Sequence, residues 1–177
     1  MNEDLEDKEK NLSTLKSEIQ QMQRDNTHGA KKPHKLVMQL AVIDLFDKGN
    51  LKENKIYFNH DLIESFANIF NLIHARGDWN QPAPPFFHLR TSKFWHHQIK
   101  PNREIQYSKL TTSGGGTRRI LDNIEYAYFS NYCYAVMSDK ESRQEFREFL
   151  VSALNPYANF TDPAPVTPLI SKKRGRP

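Results

Sequence analysis

The chain has 177 residues, 37% hydrophobic and 11% aromatic, enough for one domain with a single ordinary core and appended tails. A lone cysteine, Cys133, excludes a disulfide framework or a multi-cysteine zinc site within one chain, and no apolar run approaches the ~20 residues that span a bilayer. The net charge of +4 is unevenly placed: residues 1–28 carry seven acidic against four basic side chains, a net −3, which leaves +7 on the remainder and favours a polyanionic partner.

At the start of the chain, Leu5, Leu12 and Ile19 share one heptad position and Lys8, Leu15 and Met22 the other. This predicts a helix over residues 3–25 with a narrow apolar seam. So short a seam, with a lysine in it, suits a helix docked on its own domain better than a zipper; a homodimer through this helix is the alternative. The acidic, leucine-poor beginning lacks the charge-then-apolar order of a signal peptide, so a cytoplasmic, nucleoid-associated location is expected. Gly29 breaks the helix, and Pro33 suits the first turn of the next, where its missing N–H costs nothing. The apolar run from Leu36 to Phe46 should then be buried on most sides until Gly49 caps it.

Lys55-Ile56-Tyr57-Phe58 predicts a short strand. Asn59 or Asp61 can cap a helix with Leu62, Ile63, Phe66, Ile69, Phe70 and Ile73 on its inner face, ending near Gly77. Gln81 to Pro85 is a proline-stiffened loop, and Phe86–Leu89 with Phe94–Ile99 predicts a hairpin that turns at Arg90-Thr91-Ser92-Lys93. Ser113-Gly114-Gly115-Gly116-Thr117 reads as a flexible loop leading straight into Arg118-Arg119. Ser130 and Asp139 are caps for the last two helices, the second carrying Phe146, Phe149, Leu150 and Ala153. Cys133, between Tyr132 and Tyr134, is expected to be a buried thiol. The expected fold class is α+β and mainly helical, a winged-helix-like domain with one small antiparallel sheet, an N-terminal helix and a disordered, proline-rich C-terminal tail from Pro163 onward.

Two distant segments combine cations with an imidazole. Lys32-Pro33-His34-Lys35 opens the second helix, where free N–H groups and the positive end of the helix dipole attract a phosphate. Pro84-Pro85-Phe86-Phe87-His88-Leu89-Arg90, followed by Phe94-Trp95, is apolar and ends again in His and Arg. If the two meet, they surround one anionic, partly apolar ligand, for which a nucleic acid backbone is the obvious candidate. Pro84, Pro85, Phe86 and the face of His88 are poor partners for a phosphate oxygen, which wants donors, but suit a larger and more polarisable atom such as sulfur.

In order and spacing, Lys32-Pro33-His34-Lys35, Asn54-Lys55-Ile56-Tyr57-Phe58, Pro85-Phe86-Phe87-His88-Leu89 and Phe94-Trp95 resemble the DNA sulfur-binding domain of phosphorothioate-dependent type IV HNH restriction endonucleases, over roughly residues 31–160. The resemblance implies binding of double-stranded DNA in which sulfur replaces one non-bridging phosphate oxygen. It implies a sulfur pocket at Pro84, Pro85, Phe86 and His88, with Lys32, Pro33, His34 and Lys35 facing the modified phosphate. It further implies a recognition module that cleaves nothing and needs no cofactor or metal, its nuclease domain lying outside this chain. The division that follows is an amphipathic helix over 1–28, the sulfur-binding domain over 29–162 and a tail over 163–177.

Arg90, Lys93, Lys109, Arg118 and Arg119 are candidates for base edges and flanking phosphates, since Arg can bind guanine through two hydrogen bonds. The terminal Lys172-Lys173-Arg174-Gly175-Arg176-Pro177 resembles an AT-hook, which places Arg174 and Arg176 in a narrow minor groove. Three other functions fit parts of the pattern. A winged-helix-type regulator would use the same basic residues on unmodified DNA, and a coiled-coil protein would use only the N-terminal seam. A ββα-metal nuclease is faintly echoed by Trp95-His96-His97 and Asn123, but its motif needs a later histidine and none follows His97. His96 and His97 are expected on alternating faces of a strand, one inward and one wet.

Overall fold

The computed structural model describes residues 2–25, 33–73, 80–111 and 115–155. Within them the chain is mainly helical with one two-stranded antiparallel sheet, the α+β class expected.

Helix α1 spans Asn2–Asp25, and its seam is used within the chain: Leu12, Leu15 and Ile19 are buried, while Leu5, one heptad earlier, is 58% exposed. It lies across α7 (Asn131–Ser138) and α8 (Lys140–Leu154). Polar contacts fix its register, with the Tyr132 hydroxyl donating to Glu18 at 2.5 Å and Lys8 pairing with Asp139 at 3.3 Å. Cys133 is fully buried, as its aromatic neighbours suggested.

Helix α2, His34–Asp47, is the central rod, buried without interruption from Leu36 to Leu45. Its neighbours are α3 (His60–Ile73), α4 (Ala83–His88) and α8. The helix ends as expected at Gly49, whose φ of +73° lets its N–H reach the Phe46 carbonyl at 3.1 Å while Asn50 N–H reaches that of Leu45 at 2.9 Å. Those two bonds form a Schellman cap. Asn59 caps α3 by accepting from Leu62 N–H at 3.1 Å, and the α3 core face is Leu62, Phe66, Ile69, Phe70 and Ile73. The buried Asp44 carboxylate between the two helices is satisfied by the Ser65 hydroxyl at 2.7 Å and Lys48 at 2.8 Å.

The sheet departs from expectation. Phe86–Leu89 is not a strand: α4 covers Ala83–His88 and runs into a 3-10 turn at Leu89–Thr91. Pro82, Pro84 and Pro85 hold φ near the helical value and lack the N–H groups a strand ladder would use, so they start a helix instead. Strand β1, Trp95–Ile99, pairs instead with β2, Ile124–Phe129, placing Trp95 opposite Phe129 and His97 opposite Ala127. The expected strand at 55–58 contributes a single bridge, Ile56 to Ala127, through two hydrogen bonds of 2.7 and 2.8 Å. Asn54 clamps the same edge, with its side chain bonded to both the N–H and the carbonyl of Phe129.

The short helix α5, Glu104–Ser108, follows β1, and α6, Gly116–Asn123, begins inside the segment read from sequence as a loop. Asp139 caps α8 by accepting from Ser142 N–H at 2.9 Å. Ser130 stands at the N-cap of α7, but its hydroxyl turns to the Lys93 carbonyl. No helix among the described residues is long and apolar enough to cross a membrane.

Candidate nucleic-acid interface

The start of α2 carries Pro33, His34 and Lys35, with no acidic residue in the first turn to neutralise the dipole. Pro33 is buried and sits at the N-cap, so its part is to aim the helix. His34 leans on Phe66 and Phe70, with ring centroids 6.3 and 5.0 Å away. Lys35 is half-buried, and loss of water around its ammonium pushes its pKa below that of a free lysine.

The second segment arrives because α4 packs on α2. His88, at the last position of α4, is half-buried, and three influences lower its pKa: burial first, then the charges of Lys35 and Arg90. With its pKa below the ordinary 6.5, this imidazole is largely uncharged at neutral pH, and both cations favour that state. Arg90 lies on the aromatic floor that α4 and α5 supply, its guanidinium 4.0 Å from the centre of the Phe87 ring and 5.4 Å from that of Tyr107. Such stacking holds a guanidinium in one orientation while its N–H edges stay outward.

Beside this cluster runs an open groove of about 510 Å³, with Lys35, Thr91, Ser92 and Lys93 on one wall and Ser17, Glu18, Gln21 and Met22 of α1 on the other. Among the described residues Glu18 is the one carboxylate in the lining, and the Tyr132 hydroxyl engages it. The expected meeting of the two segments is thus present for Lys35, His88, Arg90 and Lys93.

Other expected site residues fall elsewhere. Pro85 is buried and Phe86 wholly so, which removes both from any wall a duplex touches; Pro84 and His88 are the half-exposed members of that segment. The reason is helical geometry. Once Ala83–His88 coils, Pro85, Phe86 and Phe87 turn into the core, where Phe86 meets Phe58 and Trp95 edge-on at 4.9 and 5.5 Å. Arg118 and Arg119 project from α6, which packs on α4; Arg118 is 93% exposed with Asp122 4.0 Å away, and the Arg119 stem folds against Gly115. Lys109 is exposed just after α5. Lys32, Arg174 and Arg176 lie outside the described residues, as does the whole tail over 163–177.

Sequence reasoning missed the residues that hold the site in place. His97 faces inward and His96 lies on the opposite face, as alternation requires, but the use made of His97 is new. Its Nε2 lies 3.0 Å from the Phe86 carbonyl and its Nδ1 2.8 Å from the Tyr107 hydroxyl, and Trp95 Nε1–H also donates to the Phe86 carbonyl at 3.0 Å. Burial pushes the His97 pKa down to about 4, so the ring is neutral at pH 7. One tautomer serves all three groups, with Nε2–H donating to Phe86 and Nδ1 accepting from Tyr107. This knot ties α4, which carries His88, to the sheet and to the Arg90 floor. Asn123, read only as a faint nuclease echo, is a buried clamp: it donates to the Arg119 carbonyl at 2.7 Å and accepts from Arg103 at 2.9 Å. No protein-family model matches this chain, and no curated protein matches it.

Proposed function

We propose that this chain binds double-stranded DNA carrying a backbone phosphorothioate, as the recognition module of a type IV restriction system whose nuclease lies outside it. The observation that carries the reading is that, where α4 packs on α2, the half-exposed His88 and the Arg90 guanidinium lie against the Phe87 ring at 5.2 and 4.0 Å, with Lys35 near enough for its charge to lower the His88 pKa. Two cations attract the phosphodiester, and an uncharged imidazole with Pro84 alongside offers the soft, weakly hydrogen-bonding surface that sulfur prefers to water. Lys35 and Lys93 supply the sequence-independent attraction and its salt dependence, and Arg90 is the residue best oriented for a base edge. Arg118 and Arg119 extend the positive surface along α6. The buried Pro85 supports the wall from beneath, so the sulfur contact belongs to His88 and Pro84. A cytoplasmic, nucleoid-associated location accompanies this reading.

The burial of Pro85 and Phe86 favours one other reading, a DNA-binding regulator indifferent to sulfur, because it shrinks the apolar wall. Matched duplexes with and without one phosphorothioate separate the two. Preference for sulfur is on the order of 1 to 3 kcal/mol by analogy with other single-contact discrimination, roughly 5- to 150-fold in Kd. His88→Asp should erase that preference, while Pro85→Glu, at a buried position, tests folding rather than binding. Equal affinity of the unaltered chain for both duplexes leaves the regulator.

A further inference from the structure

The groove leaves the outer face of the sheet without a role. Trp95, His97, Ala127 and Phe129 turn inward along β1 and β2, so His96, Tyr126 and Tyr128 share the other face, and Tyr57 extends it beside the Ile56 bridge. Their rings form one row: His96 to Tyr128 is 5.2 Å, Tyr128 to Tyr126 is 6.2 Å and Tyr126 to Tyr57 is 5.7 Å between centroids. Tyr57 is 44% exposed, and the other three are half-buried. The tyrosines meet edge-on, at 65° and 68°, so they do not stack on one another.

A cation stands beside the row. Lys55 Nζ is 5.3 Å from the centre of the Tyr126 ring, and its exposed ion pair with Glu53 at 3.5 Å is worth too little to hold it against a phosphate. At the His96 end the link is through the backbone: His96 Nε2 is 2.7 Å from the Ser130 hydroxyl, which donates to the main-chain carbonyl of Lys93. Lys93 is also a wall residue of the groove, so this residue links the groove to the ring row.

We infer that this row is a stacking platform for unpaired bases of a DNA strand that runs off the duplex held in the groove. Rings along a sheet face with a cation beside them are a recurring means of holding single strands, since every base has a π-face and every linkage a charge. The duplex half of this picture rests on the function proposed above; the stacking half does not.

The test uses the full chain and fluorescence anisotropy on three probes: a blunt phosphorothioate duplex, the same duplex with an oligothymidine overhang, and oligothymidine alone. The overhang should tighten binding about tenfold, the equivalent of one stacked base. Tyr57→Ala and Tyr128→Ala should remove that gain without altering the blunt-duplex Kd, and Tyr57→Phe should keep it. No gain from the overhang, or a gain that survives Tyr57→Ala, overturns the inference. If the blunt duplex fails to bind while oligothymidine binds and loses affinity in Tyr57→Ala, the groove reading falls and the platform stands.

Discussion

Lys35 and His97 show how a residue's surroundings set its task. Lys35 is half-buried, so its attraction to a phosphate is less screened than that of a surface lysine. Lys35→Ala is therefore expected to weaken modified and unmodified duplexes alike and to lower the slope of log Kd against log salt by about 1, read from titrations at several salt concentrations. An unchanged slope would take Lys35 off the phosphate. His97 governs the acid side of stability. Its folded pKa of about 4 lies below the ordinary 6.5, so between those values the unfolded chain binds a proton that the folded chain refuses. Stability from this residue is whole above pH 6.5 and is lost as pH falls toward 4, by roughly 3 kcal/mol. Urea unfolding across that window should show a flatter decline in His97→Gln; identical limbs would mean that some other group titrates there.

Among the elements, those with local instructions are the ones legible in sequence. Asn59, Asp139 and Gly49 each end or begin a helix through bonds within a few residues, and each stands where its type predicts. Gly49→Ala tests this directly: nothing lies within 4 Å of the added Cβ, so the cost is that of a left-handed backbone alone, about 1 kcal/mol. For a chain of this size that lowers Tm by roughly 2 to 4 °C, measurable by thermal unfolding, whereas a larger fall would point to lost packing. Phe86–Leu89 departs from the expected strand because a short apolar run fits a strand and a buried helix equally by periodicity. The prolines that resembled loop stiffeners pre-set the first helical turn instead. The strand at 55–58 was cut to one bridge because β2 offers it only Ala127 before the chain turns toward α3.

At the scale of the molecule, α1 closes the domain. Leu15 is fully buried, and the Glu18 carboxylate raises the pKa of Cys133 further after burial has already pushed the thiol well up. A thiol reagent should leave the folded chain unlabelled, and Leu15→Asp, which puts a charge in that contact, should bring Cys133 labelling toward the rate seen in urea. Slow labelling in Leu15→Asp would mean that the rest of the core shields Cys133 without α1. The caps at Asn59, Gly49 and Asp139, the buried faces of α2 and α3 and the inward cysteine were set by the sequence itself, because each depends on near neighbours or on a simple apolar period. Tertiary structure alone decided that β1 pairs with β2, that Pro85 and Phe86 are core, that His97 ties α4 to the sheet, and that the charges of Lys35 and Arg90 both act on His88. Those outcomes depend on which distant surfaces fit together, and that fit is a property of the packed whole rather than of any segment's own pattern.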